Sequence, residues 1–151
     1  MWRIATALDD EDIVAMCAAL NSEDPGFTPV RPEQVRRTLA KLREQPDRGR
    51  AVVCDMDHRV VGYALLISFW SNELGGEVCN IDELFVLPEY RGCGLATALF
   101  RRLGDAEESL WHVKPAALAL EVTPQNRRAI ALYERLGFRG YNLAMRRPLP
   151  H

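Results

Sequence analysis

The chain has 151 residues, 48% of them hydrophobic and 26% charged, with a formal net charge of −2. That composition fits one globular domain, residues 1–151, with enough apolar material for a core, and the near balance of charge argues against a general nucleic-acid binder. No apolar run approaches the roughly 20 residues that cross a bilayer, and the acids at Asp9–Asp12 come too early for a secretory leader, so a soluble, cytoplasmic protein is expected.

Residues 2–6 read as a short strand. A helix follows over residues 9–20, with acids in its first turn, Asp9 or Asp10 as its cap, and Ile13, Met16, Cys17 and Leu20 at helical spacing. Residues 21–30 contain Pro25, Gly26 and Pro29 and read as a loop. A second helix spans residues 31–45, with Pro32 in its first turn; its basic residues predict a solvated face. Residues 49–70 split into two strands about a turn at Asp57 and His58. After a loop at residues 71–76, residues 77–87 form another strand and residues 88–92 a turn. Leu95, Ala98, Leu99 and Leu103 place one apolar stripe on a helix running from Gly94 to about Leu110. Residues 116–122 read as a short buried strand, and residues 126–138 as a helix ended by Gly137. Residues 137–149 predict a final strand. The order is β-α-α-β-β-β-α-β-α-β, an α/β arrangement with a central mixed sheet flanked by helices. Cys17, Cys54, Cys79 and Cys93 are widely spaced and form no C-x-x-C pair, and His58, His112 and His151 are scattered, so free thiols and no metal site are expected.

The stretch from Glu89 to Phe100, "EYRGCGLATALF", changes from a charged glycine turn into an apolar helix. The first N–H groups of a helix lack partners within it, and the helix dipole adds positive potential there. Glycines let that backbone approach an anion closely. The N–H groups across Arg91, Gly92, Cys93, Gly94, Leu95, Ala96 and Thr97, with the Arg91 charge beside them, therefore suit a pyrophosphate. A nucleotide P-loop is excluded because G-x-x-x-x-G-K-[ST] is absent. A dinucleotide fingerprint is incomplete, since Thr97 stands where a third glycine belongs, although Glu121 ends the following strand.

Arg91, Gly94 and Ala96 fill an Arg/Gln-x-x-Gly-x-Gly/Ala pattern. Downstream, Asn126, Ala129, Leu132, Tyr133, Gly137 and Phe138 form a second signature. Together they resemble the GNAT superfamily of N-acetyltransferases, and the stretch from Asp82 to Gly92, with its acidic pair Asp82 and Glu83, is similar to that of its diamine and spermidine acetyltransferases. The resemblance covers nearly the whole chain. It implies a single-domain acyl-CoA N-acyltransferase fold with a mostly antiparallel sheet, acetyl-CoA as cofactor, and transfer of acetyl to a primary amine through a tetrahedral intermediate. It implies that the pantetheine arm lies along the main chain of Phe85 and Val86, that the Val86 N–H polarises the thioester carbonyl, and that Asn126, which equally suits a helix cap, contacts the cofactor arm. It gives Tyr133 the role of general acid toward the departing sulfur. Many relatives are homodimers, so a homodimer is expected by analogy.

An amine acceptor with a pKa near 10 arrives protonated, so a base is required. Asp82 and Glu83 stand just before the cofactor segment and point to opposite faces of a regular strand unless a bulge re-aims one of them. The resemblance favours Glu83 as the base, with Asp82 as runner-up or substrate anchor. Glu23, Asp24, Glu73 and Glu77, with Phe27, Phe69 and Trp70, supply acids and aromatics to the acceptor loops, which fits a small cationic molecule. A non-catalytic acyl-CoA-binding module is the competing reading.

Overall fold

The computed structural model describes residues 1–105 and 110–150. They fall into two compact units, Met1–Leu120 and Glu121–His151. The end of the predicted helix over residues 94–110 lies partly outside the described residues.

The first unit is a sheet in the order β1-β2-β3-β4-β5. Its strands are β1 (Trp2–Ile4), β2 (Gly49–Met56), β3 (Arg59–Ser71), β4 (Gly76–Val86) and β5 (Ala117–Leu120). All neighbours are antiparallel except β4 and β5, which run parallel. The β2–β3 connection is the two-residue turn at Asp57 and His58. Both have positive φ, 51° and 63°, the backbone that matches the twist of a tight hairpin.

Two helices, α1 (Asp10–Glu23) and α2 (Pro32–Glu44), cover one face. Ile13, Met16 and Cys17 of α1 and Val35, Leu39 and Leu42 of α2 form one core with Val53, Tyr63, Leu65 and Phe85 of the sheet. The helices are also joined at their surface. Arg36 forms a forked pair with Glu11, and Arg43 with Asp10, at distances of 2.8–3.0 Å. The basic face of α2 is thus partly paired with the acidic start of α1 rather than simply solvated.

Asp9 stands at the N-cap of α1, as expected, but makes no side-chain cap bond to it. Thr6 caps a single 3₁₀ turn, accepting from the Leu8 N–H while Asp9 accepts from the Thr6 N–H. Buried Asp9 in turn holds Arg3 at 2.8 Å, and that guanidinium keeps its carboxyl below the usual carboxylate range.

The opposite face carries α3 (Leu95–Gly104). Trp2 sits over this face, 3.5 Å from where a Cβ on Gly62 would stand, and its indole N–H donates to the Leu95 carbonyl at 2.8 Å. Leu99 and Leu103 of α3 are buried, as are Val52, Ala64 and Leu66, which alternate with the residues of the first core. The helix ends at Gly104 because Asp105 is extended.

The second unit holds α4 (Arg127–Arg135). Gly137, with φ of 95°, ends it as expected. The Phe138 N–H donates to the Tyr133 carbonyl and the Gly137 N–H to that of Glu134, the paired closure of a left-handed helix end. The predicted final strand is not formed: no described residue after Phe138 is in a strand. Tyr141, Leu143 and Met145 alternate as a strand would, yet all three are exposed. Alternation makes a strand only where a neighbour takes the backbone hydrogen bonds.

Candidate active site

Strand β4 builds the centre of the site. It pairs with β3 along its length, Leu65 opposite Glu83 and Leu66 opposite Ile81, so Asp82 is an extra, bulged residue. On a regular strand Glu83 would share a face with Ile81. The bulge instead places it on the face of Leu65 and Tyr63, beneath α1, and leaves Asp82 exposed.

There Glu83 Oε1 accepts from the Tyr63 hydroxyl at 2.9 Å and from the Cys17 thiol at 3.6 Å. Burial raises the Glu83 pKa above the ordinary carboxylate value, and the Asp82 charge adds to the rise; the Tyr63 and Cys17 donors pull the other way. Burial likewise pushes the Cys17 thiol up to about 11.

The parallel pairing of β4 with β5 stops at Ile81 and Leu120. Beyond it the outer edge of β4 is open. The Leu87 N–H bonds the Val61 carbonyl at 2.8 Å, so by ladder alternation Phe85 and Glu83 also direct their main-chain groups at β3. Leu84 and Val86 direct theirs to the open edge. The expected use of Phe85 main-chain groups therefore changes: Val86 keeps its N–H at the edge, Leu84 joins it, and Phe85 contributes a buried ring.

A 3₁₀ turn over Pro88–Tyr90 leads into the glycine turn. Gly92 and Gly94 have φ of 77° and 80°, and a Cβ on either would meet nothing within 4 Å. These positions need glycine for their backbone angles, and the space before them is open. Ala98 is the first residue of α3 whose N–H reaches back into the helix start, to Gly94 at 3.0 Å. The N–H groups of Leu95, Ala96 and Thr97 precede that ladder. Cys93 is an exposed free thiol in the same turn.

Arg91 does not point a bare charge at this turn. Its guanidinium grips both oxygens of Glu23 at 2.8 and 2.9 Å, its Nε donates to the Val86 carbonyl at 2.7 Å, and its plane lies 5.2 Å from the Phe85 ring centre. These contacts make Arg91 a staple joining α1, β4 and the turn, since a forked carboxylate satisfies the guanidinium geometry. Of the acids expected on the acceptor loops, Glu23 is thus paired with Arg91, and Glu77 accepts from Ser68 and meets His112 at 2.8 Å. Phe27, Phe69 and Trp70 remain exposed.

The second unit carries the other two expected residues on one helix. The Asn126 side chain accepts from the Ala129 N–H at 3.2 Å and caps α4. The Tyr133 ring meets Phe138 edge-on, 5.8 Å between centres. Two clefts of about 270 and 570 Å³ lie in the first unit; neither is lined by Glu83 or the glycine turn. Among the described residues no group of His, Cys, Asp and Glu is arranged to hold a metal, and no helix is long and apolar enough to cross a membrane.

The family model for GNAT acetyltransferases matches residues 14–138. The chain belongs to the GNAT family. Among its relatives, an uncharacterised N-acetyltransferase of Methanocaldococcus jannaschii is 37% identical over 87 residues, which are 57% of this chain and 37% of that protein. The thialysine N-epsilon-acetyltransferase of Mus musculus is 33% identical over 78 residues, 52% of this chain and 44% of that one. The matched stretch is thus less than half the length of either relative. The crystal structure of a possible acetyltransferase from Clostridium difficile 630 superposes with a TM-score of 0.81 at 22% identity, covering 100% of this chain and 98% of that one; at that identity the likeness is one of fold.

Sequence reasoning missed Tyr63 and Cys17. The signal that would have found Tyr63 is the β3–β4 register, which no tight turn dipeptide fixes and which the bulge at Asp82 shifts by one residue.

Proposed function

We propose that this GNAT chain moves the acetyl group of acetyl-CoA to the primary amine of a small cationic molecule. One observation carries the reading: a half-buried carboxylate, Glu83, stands near the carboxyl end of a strand whose open edge runs on into a glycine turn and a helix N-terminus. The family match spans parts of both compact units, which supports treating residues 1–151 as one catalytic domain.

The turn fits the diphosphate of coenzyme A. The N–H groups from Gly92 to Thr97 would hold it, and the open space before Gly92 and Gly94 admits it without a side-chain clash. The Val86 and Leu84 main chain at the open edge would take the pantetheine arm as an added strand. When bound, acetyl-CoA supplies an activated acyl thioester.

The chain's own residues do the rest. Glu83 takes a proton from the acceptor ammonium, and its raised pKa matches it to that exchange. With acetyl-CoA bound, the Val86 N–H would donate to the oxygen that gains negative charge as the neutral amine adds. The Tyr133 hydroxyl would give its proton to the departing sulfur and be restored by the proton that the acceptor nitrogen loses on becoming an amide. The helix-end closure that fixes Phe138 against Tyr133 supports that role by holding the ring. Exposed Asp82 adds negative charge beside Glu83 and favours a cationic acceptor. The thialysine acetyltransferase among the relatives supports a small amine.

Thiol release from acetyl-CoA over a panel of polyamines, thialysine, aminoglycosides and neutral amines tests the reading. Turnover that prefers the cations and is lost in Glu83→Gln and Tyr133→Phe supports it. Binding of acetyl-CoA without turnover for any amine would instead establish a non-catalytic acyl-CoA-binding module.

A further inference from the structure

The reading of Glu83 as base underlies one step further. Tyr63 is fully buried, so its hydroxyl must find a partner inside the protein. It donates to Glu83 Oε1 at 2.9 Å. Cys17 directs its thiol at the same oxygen from α1, at 3.6 Å, and Asn21 lies 3.5 Å from that sulfur. Among the described residues, Glu83 Oε2 takes no hydrogen bond. Two elements packed against β4 thus converge on one oxygen of the carboxylate and leave the other alone.

We propose that Tyr63 is a positioning residue for the acetyl transfer: its hydroxyl, seconded by the Cys17 thiol, pins Oε1 so that Oε2 is the oxygen that receives the ammonium proton. The groups facing Glu83 are Tyr63 from β3, Cys17 from α1 and Asp82 on β4. Tyr63 and Cys17 both keep their protons through the neutral range, since burial and the Glu83 charge raise both. They act as donors only and do not compete as bases. A donor to the charged form lowers a carboxyl pKa, so this pair keeps Glu83 ionisable in a site whose burial and Asp82 charge oppose ionisation.

The test is a ¹³C-NMR titration of the Glu83 carboxyl, identified by its loss in Glu83→Gln, in the wild type and in Tyr63→Phe. The phenylalanine keeps the ring against Phe85. Loss of the donor is expected to raise the Glu83 titration by about one unit. The acid limb of kcat/KM for thialysine should move up with it, while KM for acetyl-CoA stays unchanged. A merely structural tyrosine would move neither limb nor titration. If Tyr63→Phe does not fold, 3-fluorotyrosine at position 63, a stronger donor of nearly the same size, answers the question: Glu83 should then titrate lower, and an unmoved titration overturns the proposal. A titration unmoved by Tyr63→Phe, in an enzyme that Glu83→Gln inactivates, overturns this inference alone. Full activity in Glu83→Gln removes the base itself, and Tyr63 then positions nothing catalytic.

Discussion

Glu83 is held where its charge is disfavoured, and that has a sign for stability as well as for chemistry. Its folded pKa lies above the unfolded one, so the folded state binds the proton more tightly. The stabilisation from that group is present at low pH, where the carboxyl is protonated, and is lost as pH rises through the raised value. Ionising the side chain therefore strains the fold, a cost that catalytic sites commonly carry. Glu83→Gln imitates the protonated form and still offers an oxygen to Tyr63. It is expected to melt higher than the wild type at pH 7, with the gap closing as pH falls toward the ordinary carboxylate value of about 4. The same variant should lose roughly a hundredfold or more in kcat/KM, the usual worth of a placed base. Thermal melts across pH, run beside amine kinetics, check both halves. A lower melting point at pH 7 would show that the charged form is stabilised, contrary to its surroundings.

At the scale of elements, the glycine turn is where sequence and structure agree most closely. Gly92 and Gly94 were legible because so short a change from strand to helix needs left-handed backbone, which glycine alone adopts cheaply, and both have it. Gly94→Ala should strain that backbone by about 1–2 kcal/mol and tilt the first N–H groups of α3. We expect acetyl-CoA affinity to fall about tenfold or more, read by calorimetry, with the melting point lowered; unchanged affinity would remove the turn from the binding site. Other features were not legible for physical reasons. The Arg91 staple to Glu23 joins residues far apart in sequence, and no local pattern announces such a pair. The Asp82 bulge was foreseen only as a condition, because register is set by the whole β3–β4 pair. The final strand expected over residues 137–149 lacks a partner: Tyr141, Leu143 and Met145 alternate there and are exposed, a pattern that specifies a face and leaves the partner unspecified.

The first unit as a whole depends on a short edge strand. β1 has three residues, yet it joins the sheet to the helix that opens the glycine turn. Its Trp2 is 2% exposed, pairs with Cys54 across the sheet, lies over Gly62, donates to the Leu95 carbonyl at 2.8 Å and accepts from Arg102 of the same helix. At Gly62 itself a Cβ would crowd the Phe85 carbonyl at 2.9 Å and Val86 at 3.3 Å, while Trp2 at 3.5 Å would stay in ordinary contact. α3 is therefore held at its first turn by a residue nearly a hundred positions away, and its orientation decides where the free N–H groups point. Trp2→Phe keeps an aromatic ring in the core but loses the indole donor and some volume. We expect about 1–3 kcal/mol of destabilisation from the lost hydrogen bond and the gap left behind. The diagnostic result is its distribution. Hydrogen exchange should speed up in the first turns of α3 more than in β2 and β3, and acetyl-CoA should bind more weakly in proportion. Equal loss of protection throughout the sheet and α3 would mean that Trp2 is ordinary core, and that the glycine turn keeps its aim without it.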